Sequence, residues 1–171
     1  LEEEDEEKIL SVTSDIGEKV KSFIMKVITE TKDSLIKAYC IDIIGEIGQS
    51  AFANCTSLKQ IIIPSSVVSI GTQLLYECVS LETVTLSSSL KEIATFTFAK
   101  CSSLENMIIP SSVTSIGPYA FLLCKKLKNI YIPSSIQEIK SFAFKSCYSL
   151  EYSQIPSFVT TSEKGLFYEC K

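Results

Sequence analysis

Six cysteines recur at equal intervals: Cys55, Cys78, Cys101, Cys124, Cys147 and Cys170 are each 23 residues apart. A fixed period of this length marks a chain built from one supersecondary unit repeated end to end. Other columns keep the same phase. Leu58, Leu81, Leu104, Leu127 and Leu150 form one, and Ile63, Leu86, Ile109, Ile132 and Ile155 another. Phe52, Leu75, Phe98, Phe121, Phe144 and Phe167 form an aromatic column with one leucine. Pro64, Pro110, Pro133 and Pro156 recur with Ser87 as the exception. Upstream, Leu35, Ala38, Cys40, Ile44 and Ile47 fall on apolar columns, so a degenerate first unit begins at residue 35.

Each unit reads as one coil. In Leu58-x-x-Ile61-x-Ile63 the alternation suits a short strand, with Ile61 and Ile63 inward and Gln60 and Ile62 outward. Pro64 ends it, because proline has no donor for a ladder. Val67 to Ile70 makes a second extended stretch, and Gly71 is expected to supply a positive φ at the next corner. Ala51, Phe52 and Cys55 then suit a short helix, with Phe52 and Cys55 on one face. Such a coil cannot bury its apolar side alone; stacked copies create the core. The expected architecture is a repeat solenoid, a right-handed coil with a parallel β-sheet on one face and short helical turns on the other.

The string from Ile109 to Leu127, with its I-P-S-S-V-x-S-I-G-x-x-A-F-x-x-C-x-x-L frame, resembles the BspA-like (Treponema-type) leucine-rich repeat. The resemblance covers residues 35–171, about six units with the first and last degenerate, and the wording is most similar to that of Trichomonas-type protist members. It implies a cell-surface or secreted protein that adheres to host extracellular-matrix or cell-surface proteins. Its shared residues are core residues, so it specifies fold and leaves the ligand open.

Residues 1–34 form a different segment. Glu2, Glu3, Glu4, Asp5, Glu6 and Glu7 make an acidic tail. Val20, Phe23, Ile24, Val27 and Ile28 then mark one face of an amphipathic helix over 16–33, with Asp15 and Glu18 in a capping arrangement. Its expected role is to cap the first coil, since a solenoid end is a slice of core; a partner-binding helix is the alternative. The chain starts at Leu1 and stops one residue after Cys170, which reads as a piece of a longer protein.

Composition narrows the function. The net charge is −4, most of the acid excess lies in the tail, and the body lacks the basic face of a nucleic-acid binder. There is no histidine, and every basic residue is lysine. The usual general base, the usual zinc ligand and the planar arginine fork are therefore missing. No apolar run is long enough to span a bilayer.

Three ladders tempt toward chemistry, and each has a plainer reading. Side chains in register on parallel strands do not converge as a disulfide needs, and a line of thiols is not a tetrahedron around zinc. Buried packing is the expected role of Cys55, Cys78, Cys101, Cys124, Cys147 and Cys170. Ser65, Ser88, Ser111, Ser134 and Ser157, with Ser66, Ser89, Ser112 and Ser135 beside them, have no recurring base and read as turn hydrogen bonding. Glu82 and Glu105 adjoin like a carboxylate pair, but Lys59 and Lys128 flank them in a mixed-charge ladder. Asn54-Cys55-Thr56 satisfies the N-glycosylation sequon.

The remaining candidates are the outward strand residues Gln60, Ile62, Thr83, Thr85, Asn106, Ile108, Asn129, Tyr131, Tyr152 and Gln154. Repeat proteins bind partners on extended sheet faces, although β-branched and aromatic residues also simply favour strands. The expectation is a non-enzymatic protein-binding module with no cofactor, no metal, no nucleic acid and no membrane insertion within this segment. An intracellular protein-interaction scaffold is the alternative, and sequence beyond either end would separate the two.

Overall fold

The structure is a computed structural model that describes residues 46–151 and 165–170. The proposed capping helix and the outward pair Tyr152 and Gln154 lie outside the described residues. Among the described residues nine short strands run β1 (Glu46–Ile47), β2 (Gln60–Ile62), β3 (Ser69–Ile70), β4 (Thr83–Thr85), β5 (Glu92–Ile93), β6 (Asn106–Ile108), β7 (Ser115–Ile116), β8 (Asn129–Tyr131) and β9 (Glu138–Ile139). Each coil contributes one three-residue strand and one two-residue strand, as the L-x-x-I-x-I and Val67–Ile70 stretches suggest.

Every strand pairing is parallel and shifted by one coil. Gln60, Ile61 and Ile62 face Thr83, Val84 and Thr85, and Asn106, Met107 and Ile108 face Asn129, Ile130 and Tyr131. The two-residue strands pair β1 with β3 and β5 with β7 and β9. Position i therefore always meets position i+23, the register that the cysteine spacing demands.

Stacking in that register aligns like residues into buried columns. Leu81, Leu104, Leu127 and Leu150 are fully buried, as are Val67, Leu90 and Val113. Phe98, Phe121 and Phe144 are buried too, and their rings stack at centroid separations of 5.1 and 5.2 Å. Phe144 stacks on Phe167 at 5.4 Å. These spacings sit close to the roughly 4.8 Å between hydrogen-bonded strands, so one ring per coil makes a continuous aromatic column. Each such side chain adds about 1.5–3 kcal/mol on burial.

The helical turns are corrected by the structure. Among the described residues there is no helix; the A-F-x-x-C stretch is a run of turns. Two positions in each coil are left-handed: Ser50, Gln73, Phe96, Tyr119 and Phe142 in one column, and Asn54, Glu77, Lys100, Leu123, Ser146 and Glu169 in the other. A right-handed helix cannot accommodate them. Alternate amides point along the stack instead of back along the chain. Phe52 N–H donates to Leu74 O and Asn54 N–H to Tyr76 O, while Cys55 N–H closes onto Phe52 O. The turn side of the coil is thus a hydrogen-bonded ladder in its own right.

The glycine corner needs a second correction. Neither Gly71 nor Gly117 has a positive φ; the described glycine that does is Gly165. Gly71 is needed for closeness: an added Cβ would lie 2.6 Å from Gln49 Cα and from Gly48 C of the preceding coil. Gly117 is similarly pressed against Ala94 C at 3.0 Å.

Candidate functional site: the outward face of the three-residue strands

Period-two alternation decides what this face offers. Ile61, Met107 and Ile130 point into the core and are buried, with Val84 half-buried. Their neighbours point outward, and Gln60, Ile62, Thr83, Thr85, Asn106, Ile108, Asn129 and Tyr131 are all exposed. Register sorts these eight into two rows within the β2–β4 and β6–β8 sheets, which abut at β4 and β6. One row is polar: Gln60, Thr83, Asn106 and Asn129. The other is Ile62, Thr85, Ile108 and Tyr131.

Within the polar row, Asn129 Nδ2 donates to Asn106 Oδ1 at 2.7 Å, so the amides order one another. The second row is apolar at three of its four places. Ile62 is 57% exposed, Ile108 70% and Tyr131 63%. Neither row carries a charge. Charges begin at the position before, where Lys128 Nζ lies 3.4 Å from Glu105 Oε2. Glu105 is thus held by a cross-strand ion pair, the ordinary use of such a ladder.

The cysteine column behaves as packing with one added feature. Cys78, Cys101, Cys124 and Cys147 are buried, Cys55 and Cys170 are half-buried, and all six are free thiols. Each described thiol from Cys78 onward donates to a backbone carbonyl of the preceding coil: Cys78 to Phe52 O, Cys101 to Leu75 O, Cys124 to Phe98 O, Cys147 to Phe121 O and Cys170 to Phe144 O, all at 3.0–3.2 Å. Burial pushes the Cys101 and Cys124 thiols up from their ordinary value. Cys147 and Cys170 are pushed up first by the hydrogen bond with the thiol of the preceding coil, and burial adds to it. In these four the neutral, unreactive form is favoured.

The serine ladder bonds unevenly: Ser112 Oγ is buried without a hydrogen-bond partner among the described residues, whereas its counterpart one coil on bonds as a turn residue does. Ser135 Oγ donates to Val113 O at 2.8 Å. Ser87, standing where other coils have proline, donates to Val67 O at 2.6 Å and accepts from Ser89 N–H at 3.0 Å.

A second aromatic row went unnoticed in the sequence. Phe96 stacks on Tyr119 at 5.0 Å and Tyr119 on Phe142 at 5.3 Å, with Tyr76 edge-on to Phe96 at 6.4 Å. Lys100 lies over Tyr76 at 4.9 Å and is ion-paired with Glu77, while Lys145 sits between Phe142 and Tyr168 at 5.6 and 5.1 Å. The hydrogen bond from Lys100 holds the Glu77 carboxyl below its usual range, and Glu77 in turn raises Lys100. The 23-residue spacing of Phe96, Tyr119 and Phe142 would have revealed the row. Its ring faces are spent on one another, so they are closed to a stacked sugar or base.

Among the described residues no cluster of three or more Cys, Asp and Glu could hold a metal ion, and no helix is long and apolar enough to cross a membrane.

Residues 45–171 match the family described as BspA type leucine rich repeat region, in six copies. No curated protein matches the chain. Among solved structures, a leucine-rich repeat protein of T. pallidum is 37% identical over 61% of this chain and 49% of its own, with a TM-score of 0.60. A leucine-rich cell surface protein from Faecalibacterium prausnitzii is 35% identical over 71% of this chain and 34% of its own, with a TM-score of 0.64. A leucine-rich repeat protein from Eubacterium ventriosum is 29% identical over 75% and 35%, with a TM-score of 0.69. The chain therefore spans half or less of the length of these structures. Parallel strands in one-coil register, a core of repeated columns and a family match over residues 45–171 lead to one conclusion: the chain belongs to the BspA-type leucine-rich-repeat family.

Proposed function

We propose that this chain is a non-enzymatic adhesion module of a cell-surface protein, and that it grips a partner protein through the outward face of β2, β4, β6 and β8. The observation that carries the reading is the uncharged double row, with Ile62, Ile108 and Tyr131 strongly exposed beside the amide row. Soluble proteins seldom leave large apolar side chains aligned in water without a use for them. Tyrosine suits such a face because it offers area with a polar tip. The surface location rests on the Faecalibacterium cell-surface protein and the family, and the protist likeness rests on the wording of the repeats alone, since the matched structures named above are bacterial. Tyr152 and Gln154 extend the same two rows by one coil in the sequence. The right-handed sense of the coil is assigned from the general rule for parallel crossovers.

The test is adhesion of the bead-coupled chain to a reconstituted extracellular matrix and to cultured host cells. Replacing Ile62, Ile108 and Tyr131 together by Ser should cut bound beads at least tenfold while the melting curve stays in place. Undiminished adhesion by a folded triple variant would remove the face from the account. Because neither row is charged, adhesion should change little between 0.05 and 0.5 M salt, roughly a threefold span of Debye length.

A further inference from the structure

We propose that Asn54 is an N-glycan acceptor, used when the chain passes through a eukaryotic secretory pathway. The inference rests on the surface reading and the protist likeness above for its route, and on the coil geometry for its site.

Asn54-Cys55-Thr56 has the residue types the transfer needs: a side-chain amide, then a hydroxyl two positions on. The structure puts both at the surface. Asn54 and Thr56 are exposed, and Cys55 between them is half-buried. Thr56 N–H donates to Asn54 O at 2.8 Å, and Asn54 N–H donates to Tyr76 O at 2.7 Å. The backbone is thus pinned while the two side chains face outward. The same tight turn recurs at Glu77–Val79, Lys100–Ser102 and Leu123–Lys125, yet only this coil pairs an asparagine with a threonine there.

The plainer account of Asn54 is its φ of 60°, since asparagine tolerates the left-handed region. That account says nothing about Thr56, and the variants below separate the two. A glycan here would project from the turn column.

The transfer balances without a redox step. The Asn54 amide nitrogen attacks the anomeric carbon of a lipid-pyrophosphate-linked oligosaccharide. A C–N bond forms, the anomeric C–O bond breaks, the lipid pyrophosphate leaves, and the amide proton passes to the transferase base.

The experiment expresses the full chain behind a heterologous leader in a glycosylating eukaryotic cell. Intact mass is read on both secreted and cell-retained protein, before and after peptide-N-glycosidase. The wild type and Thr56→Ser should carry one oligosaccharide that the glycosidase removes. Asn54→Asp and Thr56→Ala should carry none. Thr56→Ala keeps the left-handed asparagine, so a purely conformational role would leave its mass equal to that of the wild type. Wild-type protein without a glycan in either fraction, or a glycan that persists in Thr56→Ala, would overturn the proposal. A chain modified in this assay but bare in its own cells would support the site and overturn the eukaryotic secretory route, leaving the surface reading in place.

Discussion

Cysteine recurs in this coil because its thiol is both small and a donor. At Cys101 it fills a fully buried position and still reaches Leu75 O at 3.2 Å. Alanine would lose the contact and leave a void; Cys101→Ala is expected to cost about 1–2 kcal/mol in a urea melt. The raised thiols also make stability depend on pH. Their folded values lie above the ordinary 9.0, so their contribution is complete below that value and is lost as the pH rises above it, where the unfolded chain ionises first. Unfolding free energy should therefore fall as the pH rises from about 9 to about 10.5, and the buried thiols should resist alkylation until the chain unfolds. A flat profile, or fast labelling of native Cys101 and Cys124, would contradict this. The Glu77–Lys100 pair works in the opposite sense at acid pH: its contribution is present above the usual carboxylate value and is lost as the pH falls through the lowered one. Strain offers a gain as well. Leu123 sits at φ 57° in the column where the first coil has asparagine. Leu123→Asn should raise stability by about 0.5–1 kcal/mol in the same melt.

At the scale of the element, the two strands of the coil were legible and the turn side was not. Strand positions announce themselves through Ile61, Ile63 and the proline after them, because burial selects side chains by alternation. The A-F-x-x-C stretch has the spacing of a helical face, but its backbone is set by the next coil. Phe98 N–H goes to Ala120 O and Lys100 N–H to Leu122 O, and no local pattern encodes a partner 22 residues away. The same reason hid the use of Gly71, whose neighbour is Gln49 of the preceding coil. Gly71→Ala should therefore cost about 1–3 kcal/mol, because backbone is what the methyl would meet. In the aromatic column, Phe121 stacks on Phe98 and Phe144 at once. Phe121→Ala should cost about 3–5 kcal/mol, against near silence for Ser111→Ala on the exposed bend. Differential scanning calorimetry of the three variants checks the order. The outward rows were readable residue by residue. Their organisation into an amide row and an apolar row needed only the register, which the cysteine period already contains.

At the scale of the whole molecule, each coil touches only its neighbours, so the stack behaves as a one-dimensional array. Its ends then matter as much as its middle. With residues 1–34 proposed as cap and 35–171 as repeat domain, removing 1–33 should cause aggregation or a large loss of melting temperature. An unchanged curve would refute the cap. Along its sides, the array offers a turn face closed by stacked rings and paired lysines and a strand face left open and uncharged. The most direct test compares one charge on each side. Ile108 on the strand face is 70% exposed and Val79 on the turn side is 39% exposed. Ile108→Lys and Val79→Lys each put one positive charge in place of an exposed β-branched side chain, one on each side of the stack. Bead adhesion to matrix should fall at least tenfold for Ile108→Lys and stay at the wild-type level for Val79→Lys. Loss with Val79→Lys and full adhesion with Ile108→Lys would contradict the account.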